Sequence, residues 1–271
     1  YTRKMHADVV PTVGICWLRR HIGKRLLVLF CRNVVAVSEE VRQMLVVNYG
    51  YPQKKVKLIH HGVDTRRFSP AESSLKKNLR EAMHIPSDAI IVASTARLDW
   101  VKRLERLIAA FSELAHKHAN LWLLMAGTGP HEDRLRALVD KLDDASRCRV
   151  RFLGFVEDPV SLLQMSDIFV LPSQTEGLPI GLLEAMSCGL ISVVTNSGGP
   201  SEAVKDKESG FLVEKSAEGV LQGLREALSL SPEQVSVMAQ RARKTIEDRF
   251  EITANIKKSF DLIGVAGRFS K

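Results

Sequence analysis

The sequence predicts an α/β fold in which a parallel sheet carries helices on both faces. Two observations point there. From about Ala89 onward, short apolar runs with β-branched residues alternate with longer stretches whose apolar residues recur at helical spacing. Gly and Pro punctuate the strand ends, as in Gly127-Thr128-Gly129-Pro130. Strand–helix alternation of this kind needs crossover connections and therefore a parallel sheet.

Taken in order, residues 90–94 read as a strand and 103–119 as a helix, with Leu104, Leu107, Ile108, Phe111 and Leu114 on one face. Residues 121–126 read as a strand, 131–142 as a helix, and 149–153 and 167–171 as strands. A helix over 179–188 and a strand over 191–195 follow. Residues 230–249 give the clearest helix: Ser231 caps it, Pro232 fits its first position, and Gln234 completes a capping box. A further helical stretch spans 251–263. Ahead of this region, 33–37 and 56–59 read as strands, 39–47 as the helix between them, and His61-Gly62-Val63-Asp64 as a turn or linker. A domain boundary is placed near Phe68-Ser69-Pro70, so that residues 1–68 form one domain. That is short for a doubly wound unit. The chain also opens on Tyr1 with no signal-type segment, so an amino-terminal part is expected to be missing.

The bulk properties narrow the class. The 271 residues are 45% hydrophobic and 26% charged, enough apolar material for a sizeable core. The longest apolar runs, 26–31 and 168–172, fall far short of the roughly 20 residues of a spanning helix. Cys16, Cys31, Cys148 and Cys188 form no Cys-x-x-Cys pair, which argues against a zinc site and for reduced thiols in the cytoplasm. The net charge is +8, but residues 1–80 hold 16 Lys/Arg against 5 Asp/Glu, and the remainder 23 against 26. A basic front suits an anionic membrane surface or a phosphorylated acceptor, or is simply a solvated face. No nucleic-acid reading motif accompanies the charge, so nucleic acid is set aside.

The most informative stretch runs from Pro172 to Met186. An apolar strand leads into Glu176-Gly177-Leu178-Pro179-Ile180, where Gly177 permits a tight turn and Pro179 fits a helix start. Such a helix aims free N–H groups at whatever sits above the strand end, and open parallel sheets hold ligands there. Glu176 lies at the mouth and Glu184 on the second turn. Carboxylates accept from paired hydroxyls, so the two acids suit sugars, while the helix terminus suits phosphate. A helix cap and a surface ion pair are the plainer explanation for two such acids. A second strand-end loop carries Arg97 and Lys102, a planar fork and a point charge fitted to phosphate oxygens. Gly127 and Gly129 lack the third glycine of a dinucleotide fingerprint, since Glu132 stands in its place. They are expected instead to let a nucleotide lie close to the backbone. Gly154-Phe155-Val156, after the next strand, offers backbone groups to a base edge.

These residues resemble family 4 of the retaining glycosyltransferases. Glu176 and Glu184 form a Glu-x7-Glu pair. Ala36-Val37-Ser38-Glu39, the Gly62-Val63-Asp64 and Phe68-Ser69-Pro70 segment, Arg97 with Lys102, and Gly198-Gly199-Pro200-Ser201-Glu202 match further family segments in order. The resemblance implies the GT-B fold, with a partial amino-terminal domain (1–68), a Rossmann-like donor domain (69–249) and a carboxyl-terminal tail (250–271) that returns to the first domain. It implies a UDP- or GDP-type nucleotide-sugar donor, no bound metal or other cofactor, and a glycan or lipid-linked acceptor. Glu184 would take the ribose, Glu176 the transferred sugar, and Arg97 and Lys102 the diphosphate. The backbone of Gly177, Leu178 and Ile180 would lie near sugar and phosphate. His60-His61 replace the family's Pro-Asn, and its amino-terminal glycine loop and histidine have no counterpart, His6 being too near the start. A non-catalytic nucleotide-sugar-binding protein and another GT-B enzyme, such as a sugar epimerase, stay open as alternatives.

Overall fold

The computed structural model describes Cys31 and residues 33–263. His6, Cys16, most of the 26–31 run and seven of the 16 Lys/Arg of the basic front lie outside the described residues. The chain divides into two compact units, Tyr1–Leu58 and Ile59–Lys271.

In the first unit, β1 (Val34–Ala36) and β2 (Val56–Leu58) pair in parallel, Val34 opposite Val56. Between them, α1 (Glu39–Gln43) is capped by Ser38, whose hydroxyl accepts from the Val41 N–H at 3.2 Å. The sequence predicts one α-helix over 39–47, but the chain widens into a π-helical turn over Met44–Asn48. The adjacent β-branched Val46 and Val47 lower the α-helical propensity of this turn.

The second unit is built on one fully parallel sheet of β3 (Ile90–Thr95), β4 (Leu121–Ala126), β5 (Val150–Phe152), β6 (Ile168–Leu171), β7 (Ile191–Thr195) and β8 (Phe211–Val213). The strand order is β5-β4-β3-β6-β7-β8, the doubly wound α/β pattern. Because a strand points successive side chains to opposite faces, each buried strand feeds two cores. Val92, Leu123, Met125, Ile168, Val170 and Val193 meet α3 (Leu104–Ala115) and α9 (Ala217–Leu228) on one face. Phe169, Leu171 and Val194 meet α7 (Ile180–Ser187) and α10 (Pro232–Arg249) on the other. The capping box of α10 is formed as its sequence predicts, with Ser231 and Gln234 bonding reciprocally.

The break between units falls ahead of the boundary placed near Phe68. Val63 donates its N–H to Phe250 O at 2.8 Å and accepts at its carbonyl from Ile252 N–H at 3.1 Å, and Phe68 is buried in the same cluster as Phe250. Residues 59–68 therefore fold with the second unit, and α11 (Ile252–Ile263) follows directly on that contact, Asn255 Nδ2 donating to His61 O at 3.3 Å. The elements expected from the sequence do not include α2 (Ser73–Ala82), α5 (Asp144–Arg147), α6 (Val160–Met165), α8 (Pro200–Ala203), α9 and β8. Among the described residues no helix is long and apolar enough to cross a membrane.

Candidate functional site

A doubly wound sheet takes its ligands outside the carboxyl ends of its strands, where the strand order reverses. Here the order runs outward from β3 on one side and from β6 on the other, so the reversal lies between them. The loop after β3 carries Arg97 and Lys102. The loop after β6 carries Glu176.

These two loops are tied together. Lys102 Nζ stands 2.6 Å from Glu176 Oε1, and Ser173 Oγ donates to the same oxygen at 2.5 Å. The two charged side chains are 22% and 9% exposed, so the pair is largely withdrawn from water. Gln174 N–H donates to Val101 O at 2.7 Å. Arg106 donates to Pro172 O at 3.0 Å and to Gln174 Oε1 at 2.8 Å. Arg97 does not join them: it is exposed, with Nε 3.6 Å from Asp99 Oδ2. A third loop closes from β7, since Glu176 N–H donates to Ser197 O at 2.9 Å and Gly199 N–H to Glu176 O at 3.3 Å.

Gly127 and Gly129 have a reason inside the fold besides the expected one. The β3 loop lies across them: Ala96 N–H donates to Ala126 O and Leu98 N–H to Thr128 O, both at 3.0 Å. A Cβ would stand 1.9 Å from Ala96 O at Gly127 and 2.2 Å from Leu98 O at Gly129. The space a side chain would need is taken by protein backbone. Gly154 differs, with φ +66° and nothing near its missing Cβ; Val156 beside it packs against a core cluster.

Pro179 precedes α7, which has no side-chain cap. The N–H groups of Ile180 and Gly181 find no acceptor among the described residues. The Leu178 side chain is buried in the core at 4% exposure, so only its backbone faces the site, whereas Ile180 is exposed. Glu184 is partly buried on the second turn. Burial pushes its carboxyl up from the ordinary glutamate range, with Arg67 working against the shift and Asp158 adding to it. Arg67 and Asp158 pair with each other at 2.9 Å at this rim.

Four residues escaped the sequence reading: Ser173, Arg106, Arg67 and Asp158. Ser173 sits inside the Pro172–Met186 stretch, where its spacing of three from Glu176 is a local signal. The other three act across 66 to 91 residues of chain, as in Arg106 to Pro172 or Arg67 to Asp158, and no local pattern marks them. Among the described residues no group of three or more His, Cys, Asp and Glu is placed to hold a metal ion.

The doubly wound sheet gathers acids, cations and an uncapped helix start at its switch point, where such sheets take their ligands, and the comparisons give the family. Residues 76–245 match the family of glycosyl transferases group 1, and residues 13–67 match Glycosyltransferase Family 4. The chain belongs to the glycosyl transferases group 1 family. EpsD of Bacillus subtilis (strain 168), named as a glycosyltransferase, is 29% identical over 91% of this chain and 64% of its own length. WcaL of Escherichia coli K12, named for colanic acid biosynthesis, is 32% identical over 74% of this chain and 49% of its own length. The chain thus spans about half to two-thirds of these relatives. The crystal structure of HepE from Anabaena with UDP and glucose shares the fold, with a TM-score of 0.79 at 20% identity over 90% of this chain and 67% of that one. The α/β, GT-B-type architecture expected from the sequence is the fold observed.

Proposed function

We propose that this chain carries the donor site of a retaining glycosyltransferase of family 4, which moves a sugar from a UDP- or GDP-type nucleotide-sugar to a glycan or lipid-linked acceptor. The observation that carries the reading is the meeting of Lys102 and Glu176 at 2.6 Å beside the switch point, at the entrance to the helix that holds Glu184. Phosphate is drawn to the cations and to the free N–H groups of the α7 start, and it is repelled by carboxylate. Hydroxyl pairs are drawn to Glu176 and Glu184. A ligand with phosphates between two hydroxyl-rich sugars meets those demands together.

In this reading Glu184 takes ribose hydroxyls and Glu176 the sugar being transferred. Arg97 and Lys102 stabilise charge growing on the leaving diphosphate, which is electrostatic catalysis. The backbone from Gly177 to Ile180 lies along sugar and phosphate, and the nucleotide passes the turns at Gly127, Gly129 and Val156. No metal is given a part in the step. The UDP bound by HepE supports a UDP-type donor, and the naming of WcaL supports a cell-envelope polysaccharide precursor as acceptor. The basic front supports peripheral contact with an anionic membrane from its cytoplasmic side.

Calorimetric titration of the chain with UDP, GDP, ADP and their common sugar conjugates tests the reading. The expected result is saturable binding of one nucleotide, weakened at least tenfold by Lys102→Ala and by Glu184→Ala. Binding that Glu184→Ala leaves unchanged, or none at millimolar ligand, overturns it.

A further inference from the structure

Arg106 is a cation beside this site that the donor reading leaves without a task. It stands on the first turn of α3, four residues after Lys102. Its guanidinium reaches across to the β6–α7 loop, donating to Pro172 O and to the Gln174 side chain. Gln174 returns the link through its N–H to Val101 O. The 172–174 segment is thereby stitched to 101–106 at three points, next to the Lys102–Glu176 pair. Both acceptors of Arg106 are neutral, so its contribution is chiefly geometric: a rigid planar fork fixes two points of a loop at once, which a flexible ammonium does less well. Burial and the neighbouring Arg103 lower its pKa from the ordinary arginine value, as expected of a guanidinium that has exchanged water for protein acceptors.

The consequence falls on Glu176. Lys102 and Ser173 both hold its Oε1, while Oε2 has no partner among the described residues. That division requires Ser173 to sit where it does, one residue from each of the two anchors of Arg106. We propose that Arg106 is a positioning residue for Glu176: it fixes the β6–α7 loop so that Lys102 and Ser173 take one carboxylate oxygen and the other is presented to the sugar of the donor. The proposal rests on the donor-binding reading above. It predicts an effect on the sugar end of the ligand and not on the nucleotide end.

The test is calorimetric titration of the unmodified chain, Arg106→Leu, Arg106→Lys, Glu176→Gln and the double variant Arg106→Leu/Glu176→Gln. The probes are UDP against UDP-glucose and UDP-N-acetylglucosamine, and GDP against GDP-mannose. The readout is the ratio of the dissociation constants for conjugate and bare nucleotide. Arg106→Leu is expected to shift that ratio about tenfold against the conjugate while bare-nucleotide affinity stays within twofold. Arg106→Lys, keeping one donor, recovers part of the loss, and in the Glu176→Gln background Arg106→Leu changes the ratio no further. Equal losses for nucleotide and conjugate, or a further ratio shift on top of Glu176→Gln, overturn the proposal. If no nucleotide binds the unmodified chain, the donor reading itself falls and takes the proposal with it; if nucleotide binds and the ratio holds in Arg106→Leu, only the role of Arg106 falls.

Discussion

Gly199→Ala is a substitution whose usual sign this fold reverses. Gly199 has φ −50° and ψ −29°, an ordinary right-handed conformation that alanine adopts freely. At such positions Gly→Ala normally stabilises by about 0.4–1 kcal/mol, because the unfolded chain loses freedom. Here the added Cβ would stand 1.2 Å from the carbonyl oxygen of Gly177, where real contacts begin above 3.0 Å. The β6–α7 and β7–α8 loops must therefore separate by about 2 Å. A movement of that size breaks the Glu176 N–H to Ser197 O and Gly199 N–H to Glu176 O bonds, now 2.9 and 3.3 Å. Each is worth about 0.5–1.5 kcal/mol net, and overpacking adds roughly 1–3 kcal/mol. Less the entropy gain, the expected cost is about 1–6 kcal/mol. For a unit of this size that lowers the melting temperature by roughly 2–20 °C, read by circular dichroism. Gly154→Ala is the control: its φ of +66° is unfavourable but its surroundings are open, so it costs only about 1–2 kcal/mol. A Gly199→Ala chain that melts at or above the unmodified one refutes the reasoning, because the two loops would then part without penalty.

Three further outcomes are expected. Lys102→Met leaves the Glu176 carboxylate, 9% exposed, without its cation and costs about 2–3 kcal/mol in urea unfolding; adding Glu176→Gln recovers at least about 1 kcal/mol, and no recovery means the two side chains do not form the pair. Burial raises the Glu184 pKa, so the fold favours the neutral acid, and the associated stability is present below the ordinary glutamate value and lost as pH rises through the raised one. Glu184→Gln is therefore expected to unfold at higher urea than the unmodified chain at pH 7 and to converge with it below about pH 4; a gap that does not change with pH sinks this account. The Cys188 thiol, 5% exposed, is pushed by burial to about 12, so iodoacetamide at pH 8 should modify exposed Cys148 in the native chain and Cys188 only after unfolding, as followed by mass spectrometry.

How much of this was legible depends on how locally each element is encoded. β3, β4 and β7 fall within a residue of their predicted bounds because their short, largely apolar runs are buried on both faces and need no partner to identify them. α10 was legible because Ser231, Pro232 and Gln234 write its start into four residues. α2 was not. It has little apolar surface, and its anchor is Arg80, whose fork reaches Met165 O, Ser87 O, Ala89 O and Asp167. Three of those bonds span seven to 85 residues to backbone carbonyls, so the sequence around Arg80 shows only a charged patch. α9 does carry helical spacing in Val220, Leu221, Leu224 and Ala227, with Ser216 as cap; Gly219 and Gly223 within it obscure the pattern.

The site divides along the same line. Each loop of the site carries its own signal, and the residues it offers were readable one loop at a time. What the sequence withholds is which loops face each other. Lys102 and Glu176 lie 74 residues apart, and reading them singly assigned one to phosphate and the other to sugar. The sheet makes them neighbours because β3 pairs with β6 while β4 and β5 are laid down on the far side of β3. That adjacency sets one cation against one carboxylate at the switch point. A lysine held at 2.6 Å by a carboxylate cannot give its full charge to a phosphate as well. In the proposed donor reading the same lysine therefore stands between the phosphate and the carboxylate that meets the sugar, while Ser173 also holds Oε1 and Oε2 is left for the hydroxyl.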